Sequence, residues 1–213
     1  MYTTMRCIPS EHAAQSSNLG TGRTVNDQRP LPYGVAAGGV GRCALHTAQL
    51  LYEHRVHRPT SRVDTKLRFA DGTTSRIYRE TVVDHGEVGQ PCILVVSFRL
   101  RFVRGAFHTL FRAESLLNTP LFVGFPGFVS KLWLAHDANG VYRGVYQWDD
   151  AACAEYYARC LWRILALVSR RGSIRYVVVP GHERDELLTT PERFATGSVD
   201  EMPSWARVER VES

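Results

Sequence analysis

Between residues 92 and 180 the hydrophobic pattern changes period several times, and each change marks an element. Ile93-Leu94-Val95-Val96 is an uninterrupted apolar start, which predicts a central strand over 93–102. Residues 106–118 predict a helix that ends ahead of Pro120. Two apolar-rich segments, 128–135 and 141–148, flank Asn139-Gly140, a strong hairpin signal. Cys153, Tyr156, Tyr157, Cys160, Leu161, Ile164, Leu165 and Val168 then recur at helical steps. They predict a helix over 151–169, capped by Asp149 or Asp150 and stopped by Gly172. A last strand follows over 174–179. The order β-α-β-β-α-β is the split βαβ, or ferredoxin-like, arrangement of the α+β class. Such a sheet carries both helices on one face. The other face is left bare, so the pattern predicts a partner, most simply a second copy in a homodimer.

The flanks read differently. Residues 1–60 predict a flexible arm rich in Ser, Thr, Gly and Asn, with little to bury in Val35-Ala36-Ala37-Gly38-Gly39-Val40-Gly41. Within it, 43–55 suits one short helix with Leu45, Ala48, Leu51 and Tyr52 on its apolar side. Residues 61–91 predict a β-hairpin extension turning at Asp71-Gly72. Its strands alternate apolar and charged residues, so they extend the main sheet or cover its edge. Residues 181–213 are polar, with Pro191 and Pro203, and predict a surface tail that Trp205 pins to the body or to a second subunit.

Composition narrows the function classes. The net charge of +5 comes from scattered arginines; only Lys66 and Lys131 are lysines. Arg99, Arg101 and Arg104 form a short cluster with no aromatic-interleaved basic stripe, which argues against nucleic acid. No apolar run reaches the length of a membrane span, and residues 1–29 lack the apolar stretch of a secretory signal. The five cysteines are odd in number and show no CxxC pair, so reduced buried thiols in a cytoplasmic protein are expected, with Cys153 and Cys160 both pointing inward. His46, Glu53, His54 and His57 lie close together but suit an exposed polar face better than a metal site. The glycines of 34–41 are no phosphate loop, and no nucleophile elbow, H-E-x-x-H, Rossmann or P-loop pattern is present.

Candidate chemistry sits in the core. Phe107, Leu110, Phe111 and Leu117 define the apolar side of the first helix, and Glu114 and Asn118 fall on or beside it. A carboxylate there needs a partner such as Arg112, Lys131 or Arg163. Glu114 is then either half of a structural ion pair or a pocket base. Lys131 and Trp133 share one strand face, as do Tyr142, Tyr146 and Trp148. If the two faces coincide, aromatic walls surround one lysine, which suits a flat phenolic ligand; an aromatic core or a dimer seam is the other reading. His108 is an exposed first-turn residue or a general base. His136 and Asp137 read as turn residues.

The run Phe125-Pro126-Gly127-Phe128, then Lys131-Leu132-Trp133, then Gly140 and Gly144-Val145-Tyr146-Gln147-Trp148-Asp149 resembles the dimeric α+β barrel superfamily, within it the small mono-oxygenase-like (YdhR-like) branch. The resemblance covers roughly residues 92–180 and leaves both flanks without a counterpart. It implies a homodimer and, by analogy with members that oxidise polycyclic aromatic polyketides in antibiotic biosynthesis, an oxygenation that uses no metal, haem or flavin cofactor. On that reading Glu114 or His108 deprotonates an aromatic or polyketide-like substrate. Lys131 and Asn118 then hold the anion, while Arg112, Trp133, Tyr142, Tyr146 and Trp148 bind the rest. A cyclase or isomerase using the same pocket, and a non-catalytic ligand-binding or assembly module, remain as alternatives.

Overall fold

The computed structural model describes residues 30–86, 88–101, 122–198 and 200–212. Helix α1 (Tyr33–Tyr52) opens it. The strands β1 (Val56–His57), β2 (Lys66–Phe69), β3 (Thr74–Val83), β4 (Cys92–Arg99), β5 (Phe128–Leu134) and β6 (Val141–Trp148) follow. Helix α2 (Ala151–Val168), β7 (Arg175–Pro180), the short helix α3 (Glu186–Thr189), a 3-10 turn (Pro191–Phe194) and β8 (Val208–Glu212) complete it.

All strand pairs are antiparallel, and the sheet runs β7-β4-β6-β5-β3-β2-β8 with β1 beside β3. Its first four strands have the ferredoxin-like order. The hairpin β2-β3 joins at the free edge of β5, so the sheet continues and curls into a half-barrel. The Asp71 carboxylate shapes that hairpin's turn by accepting from the Thr73 amide at 3.0 Å. At the second turn, Asp137 accepts from the amides of Asn139 and Val141 at 2.8 and 3.0 Å.

One face of the sheet carries the helices. Asp150 caps α2 by accepting from the Cys153 amide at 2.9 Å, and α2 buries Cys153, Ala154, Tyr157, Ala158, Cys160 and Leu165. Helix α1 begins ten residues earlier than the hydrophobic spacing predicts, at Tyr33 rather than 43, and buries the opposite side. Ala36, Gly39, Cys43, Thr47 and Leu50 face inward, while Leu45 and Tyr52 are 76% and 86% exposed. The cause is close approach. A Cβ on Gly39 would lie 2.8 Å from the Tyr156 hydroxyl and 3.3 Å from the Cys160 sulfur, so small residues, not large ones, mark the packed side. The stretch read as having little to bury is the helix–helix contact.

The other face overturns a second expectation. Ile93, Val95, Leu132, Leu134, Val145 and Val179 are not bare; Leu187, Phe194, Met202, Ala206 and Val208 cover them. The segment expected to be a polar surface tail is therefore a strap across the sheet, and it ends as a strand paired with β2. The chain itself fills the place where a second subunit was expected.

The strap is fastened by buried charge. Arg143 uses all five of its donors: to Trp205 O at 2.9 Å, Ser75 Oγ at 3.3 Å, Asp137 Oδ2 at 2.8 Å, Asp71 Oδ2 at 3.0 Å and Thr73 Oγ1 at 2.9 Å. Arg184 pairs with Glu80 at 2.8 Å, and its amide donates to Gln147 Oε1. His182 has a carboxylate at each ring nitrogen, Glu186 and Asp200, both at 3.1 Å. No described helix is long and apolar enough to cross a membrane.

Candidate functional site

Three neighbouring strands build a cluster on the helix face. Thr81 on β3, Lys131 on β5 and Tyr146 on β6 stand in one row; Arg79, Trp133 and Gly144 stand in the next. Residues two apart on a strand share a face, so Lys131 and Trp133 point the same way. Gly144 allows Tyr146 to lean along its own strand. A Cβ there would meet the ring at 2.8 Å and the hydroxyl at 3.1 Å. Phe122, in the turn before β5, adds a third ring. The Lys131 Nζ lies 3.2 Å from the ring centre of Trp133, 4.5 Å from that of Phe122 and 4.7 Å from that of Tyr146.

The rings are themselves held. The Trp133 indole N–H donates to Thr81 Oγ1 at 3.1 Å, and the Arg79 guanidinium lies 4.8 Å from the indole centre. The Tyr157 hydroxyl on α2 donates to the Tyr146 hydroxyl at 3.2 Å. That bond leaves the Tyr146 proton available to another acceptor. Burial raises the pKa of both phenols, so both stay protonated.

Opposing effects set the charge of Lys131. Each aromatic face favours the ammonium by about 0.5–2 kcal/mol. Removing an ammonium from water costs several kcal/mol. Lys131 is 6% exposed, and no described carboxylate pairs with it. Desolvation wins, the Arg79 cation adds to it, and the amine pKa falls well below its ordinary value. Desolvation also pushes Arg79 down, to about 10. An amine so placed loses its proton easily and can act as a base or a nucleophile.

The structure brings together Lys131, Trp133 and Tyr146 from the residues singled out in the sequence. Trp148 shares their face but is core, fully buried against Phe128 and Tyr157 at ring distances of 5.5 and 5.0 Å. Tyr142 stands roughly 13 Å along β6 from Tyr146 at the usual strand rise. There it stacks on Phe98 at 5.8 Å and meets His136 at 5.5 Å. His108, Arg112, Glu114 and Asn118 lie outside the described residues. Arg163, a possible partner for Glu114, donates from Nε to Leu31 O at 2.7 Å and lies over Tyr33.

Arg79, Thr81, Phe122 and Tyr157 were not legible as site residues. Arg79 shows why. By simple alternation it would share the strap face with Ile77. A register shift between Ile77 and Arg79 turns it to the helix face, opposite Trp133. Asp137, read as a turn residue, is also the buried partner of Arg143.

Elsewhere the described residues carry less chemistry. No group of three or more His, Cys, Asp or Glu among them could hold a metal ion. His46 instead shares a hydrogen bond with Gly124 O, and His57 pairs with Asp84. A cleft of about 350 Å³ lined by Ser61, Arg62, Thr65, Ile77, Leu188 and Val211 has one charged group, Arg62, already paired with Asp185.

No family model and no curated protein matches the chain. Three solved structures are similar to part of the chain. A ferredoxin-fold protein from Listeria monocytogenes, described as related to antibiotic biosynthesis monooxygenases, is 13% identical over 53% of this chain and 66% of its own, with a TM-score of 0.37. A monooxygenase-like protein from Listeria innocua is 13% identical over 52% and 65%, with a TM-score of 0.36. The chain thus spans just under two thirds of the length of these two. A heme-degrading enzyme from Listeria monocytogenes is 12% identical over 60% of this chain and 97% of its own, with a TM-score of 0.37. The strand order β7-β4-β6-β5 makes the chain a ferredoxin-like α+β protein.

Proposed function

We propose that the chain is an enzyme that removes a proton from an aromatic or polyketide-like small molecule and oxygenates the resulting anion without a cofactor. One observation carries this reading: a buried amine, Lys131, lies against three aromatic rings and pairs with no described carboxylate. In its neutral form Lys131 accepts the proton of an acidic methylene or phenol. Once protonated, it becomes the cation beside the new anion, where electrostatic stabilisation has most effect. Trp133, Phe122 and Tyr146 supply flat apolar walls. The electron-rich anion gives an electron to dioxygen. A methylene then ends as a carbonyl that keeps one oxygen atom, and the second leaves as water with the two hydrogens. The substrate supplies all the electrons, so no further reductant enters.

The test is dioxygen uptake in the presence of polycyclic phenols that carry an activated methylene. The expected result is uptake matched one to one by product and lost in Lys131→Met. Exchange of the methylene protons with solvent deuterium, without uptake, would replace oxygenation by an isomerase or cyclase. Neither uptake nor exchange would overturn the reading.

A further inference from the structure

We infer that Lys131 is also a nucleophile, which makes this site one for aldehydes and ketones held covalently as imines. The inference rests on the same cluster as the proposed proton transfer but names a different bond, carbon to nitrogen. Three features carry it. The amine is buried on a central strand among ring systems, where desolvation outweighs the attraction of the ring faces and disfavours the ammonium. A second cation, Arg79, shares the indole of Trp133 with it. Desolvation and a neighbouring positive charge are the two means by which an amine is kept nucleophilic at neutral pH. Tyr146 stands beside the amine as a protonated phenol whose own proton is not used in the bond from Tyr157.

The steps balance without an oxidant or a reductant. The nitrogen lone pair of Lys131 attacks the carbonyl carbon, and the carbonyl electrons move to oxygen. That oxygen takes a proton from Tyr146. One proton on the nitrogen returns to Tyr146 and the other leaves with the hydroxyl as water, which leaves the neutral imine. The charged and titratable groups described around the amine are Arg79 and Tyr78 on β3, Tyr146 on β6 and Tyr157 on α2. None is a carboxylate that would hold the ammonium.

The chain supplies its own control, since its two lysines are Lys131, buried, and Lys66, exposed. The experiment is reductive trapping of the full chain with benzaldehyde and cyanoborohydride, read by peptide mass. The expected result is a benzyl group on Lys131 at pH 7 at least tenfold faster than on Lys66. The rate at Lys131 should level off at a lower pH than the rate at Lys66. Labelling of Lys66 alone, or of both at equal rates, would overturn the inference. If dioxygen uptake still depends on Lys131 in that case, the proton-transfer reading stands without the imine. If neither is seen, both fall.

Discussion

On the strap face, Arg143 and Arg184 are buried as deeply as Lys131 is on the helix face, only one strand layer away. Yet Arg143 meets two carboxylates and spends every donor, and Arg184 meets Glu80. Lys131 meets indole, phenol and phenyl rings and a second cation. Both of these buried arginines are paired with carboxylates, and breaking such a pair by removing one partner costs about 3–5 kcal/mol. A buried amine left among rings is a cost that packing alone does not explain, and such costs gather at functional sites. On the proposed reading, the contrast between the faces separates scaffold from chemistry inside one sheet.

The largest effect should come from removing residues 181–213. That change uncovers Ile93, Val95, Leu132 and Val145 together. The truncated chain should lose its cooperative thermal transition or associate, as read by calorimetry and light scattering. A monomeric, cooperatively folding truncation would show that the strap is not the cover. Next in size is Arg184→Met, which strands the buried Glu80. It should cost about 3–5 kcal/mol in urea unfolding, and adding Glu80→Leu should restore most of it.

Gly144→Ala should be smaller. The added methyl strikes the Tyr146 ring and should cost about 1–3 kcal/mol as overpacking. It should slow benzaldehyde trapping at Lys131 and leave Lys66 unaffected. Smallest in size and opposite in sign is Lys131→Met. Replacing the buried amine by an apolar chain of similar length should add about 1–2 kcal/mol at pH 7 and abolish turnover. The stability difference should fade as the pH rises. The folded amine has the lower pKa, so the unfolded chain binds more protons below about pH 10.4. Wild-type stability should therefore climb with pH through the window between the two pKa values, relative to Lys131→Met. A difference constant from pH 7 to pH 10 would contradict this.

Much of the scaffold was legible in the sequence. Asn139-Gly140 and the helical stripe of 151–168 rest on local chemistry that tertiary structure did not override. The strap was not legible, since Leu187, Phe194, Met202, Ala206 and Val208 follow neither a period of two nor one of 3.6. Its polar groups mark a tail until their partners Arg143, Glu80 and Gln147 are in place. Helix α1 misled for a related reason. Its large apolar residues face out, because the contact with α2 selects small ones. Lys131 and Trp133 stood out because a lone lysine interrupts an apolar strand. Arg79 was hidden by a register shift that spacing in one strand cannot reveal.

The two lysines also allow the most direct test of whether the helix face holds a reactive amine. With lysine labelled at Cε, the spectrum contains one signal from Lys66 and one from Lys131, and both can be titrated in a single sample. Lys66 is exposed and serves as the reference in the same sample. Lys131 should titrate well below the ordinary lysine value, with the shift lost on unfolding in urea. A Lys131 signal that titrates together with Lys66 or above it would mean a paired, charged lysine, and the contrast between the two faces would vanish.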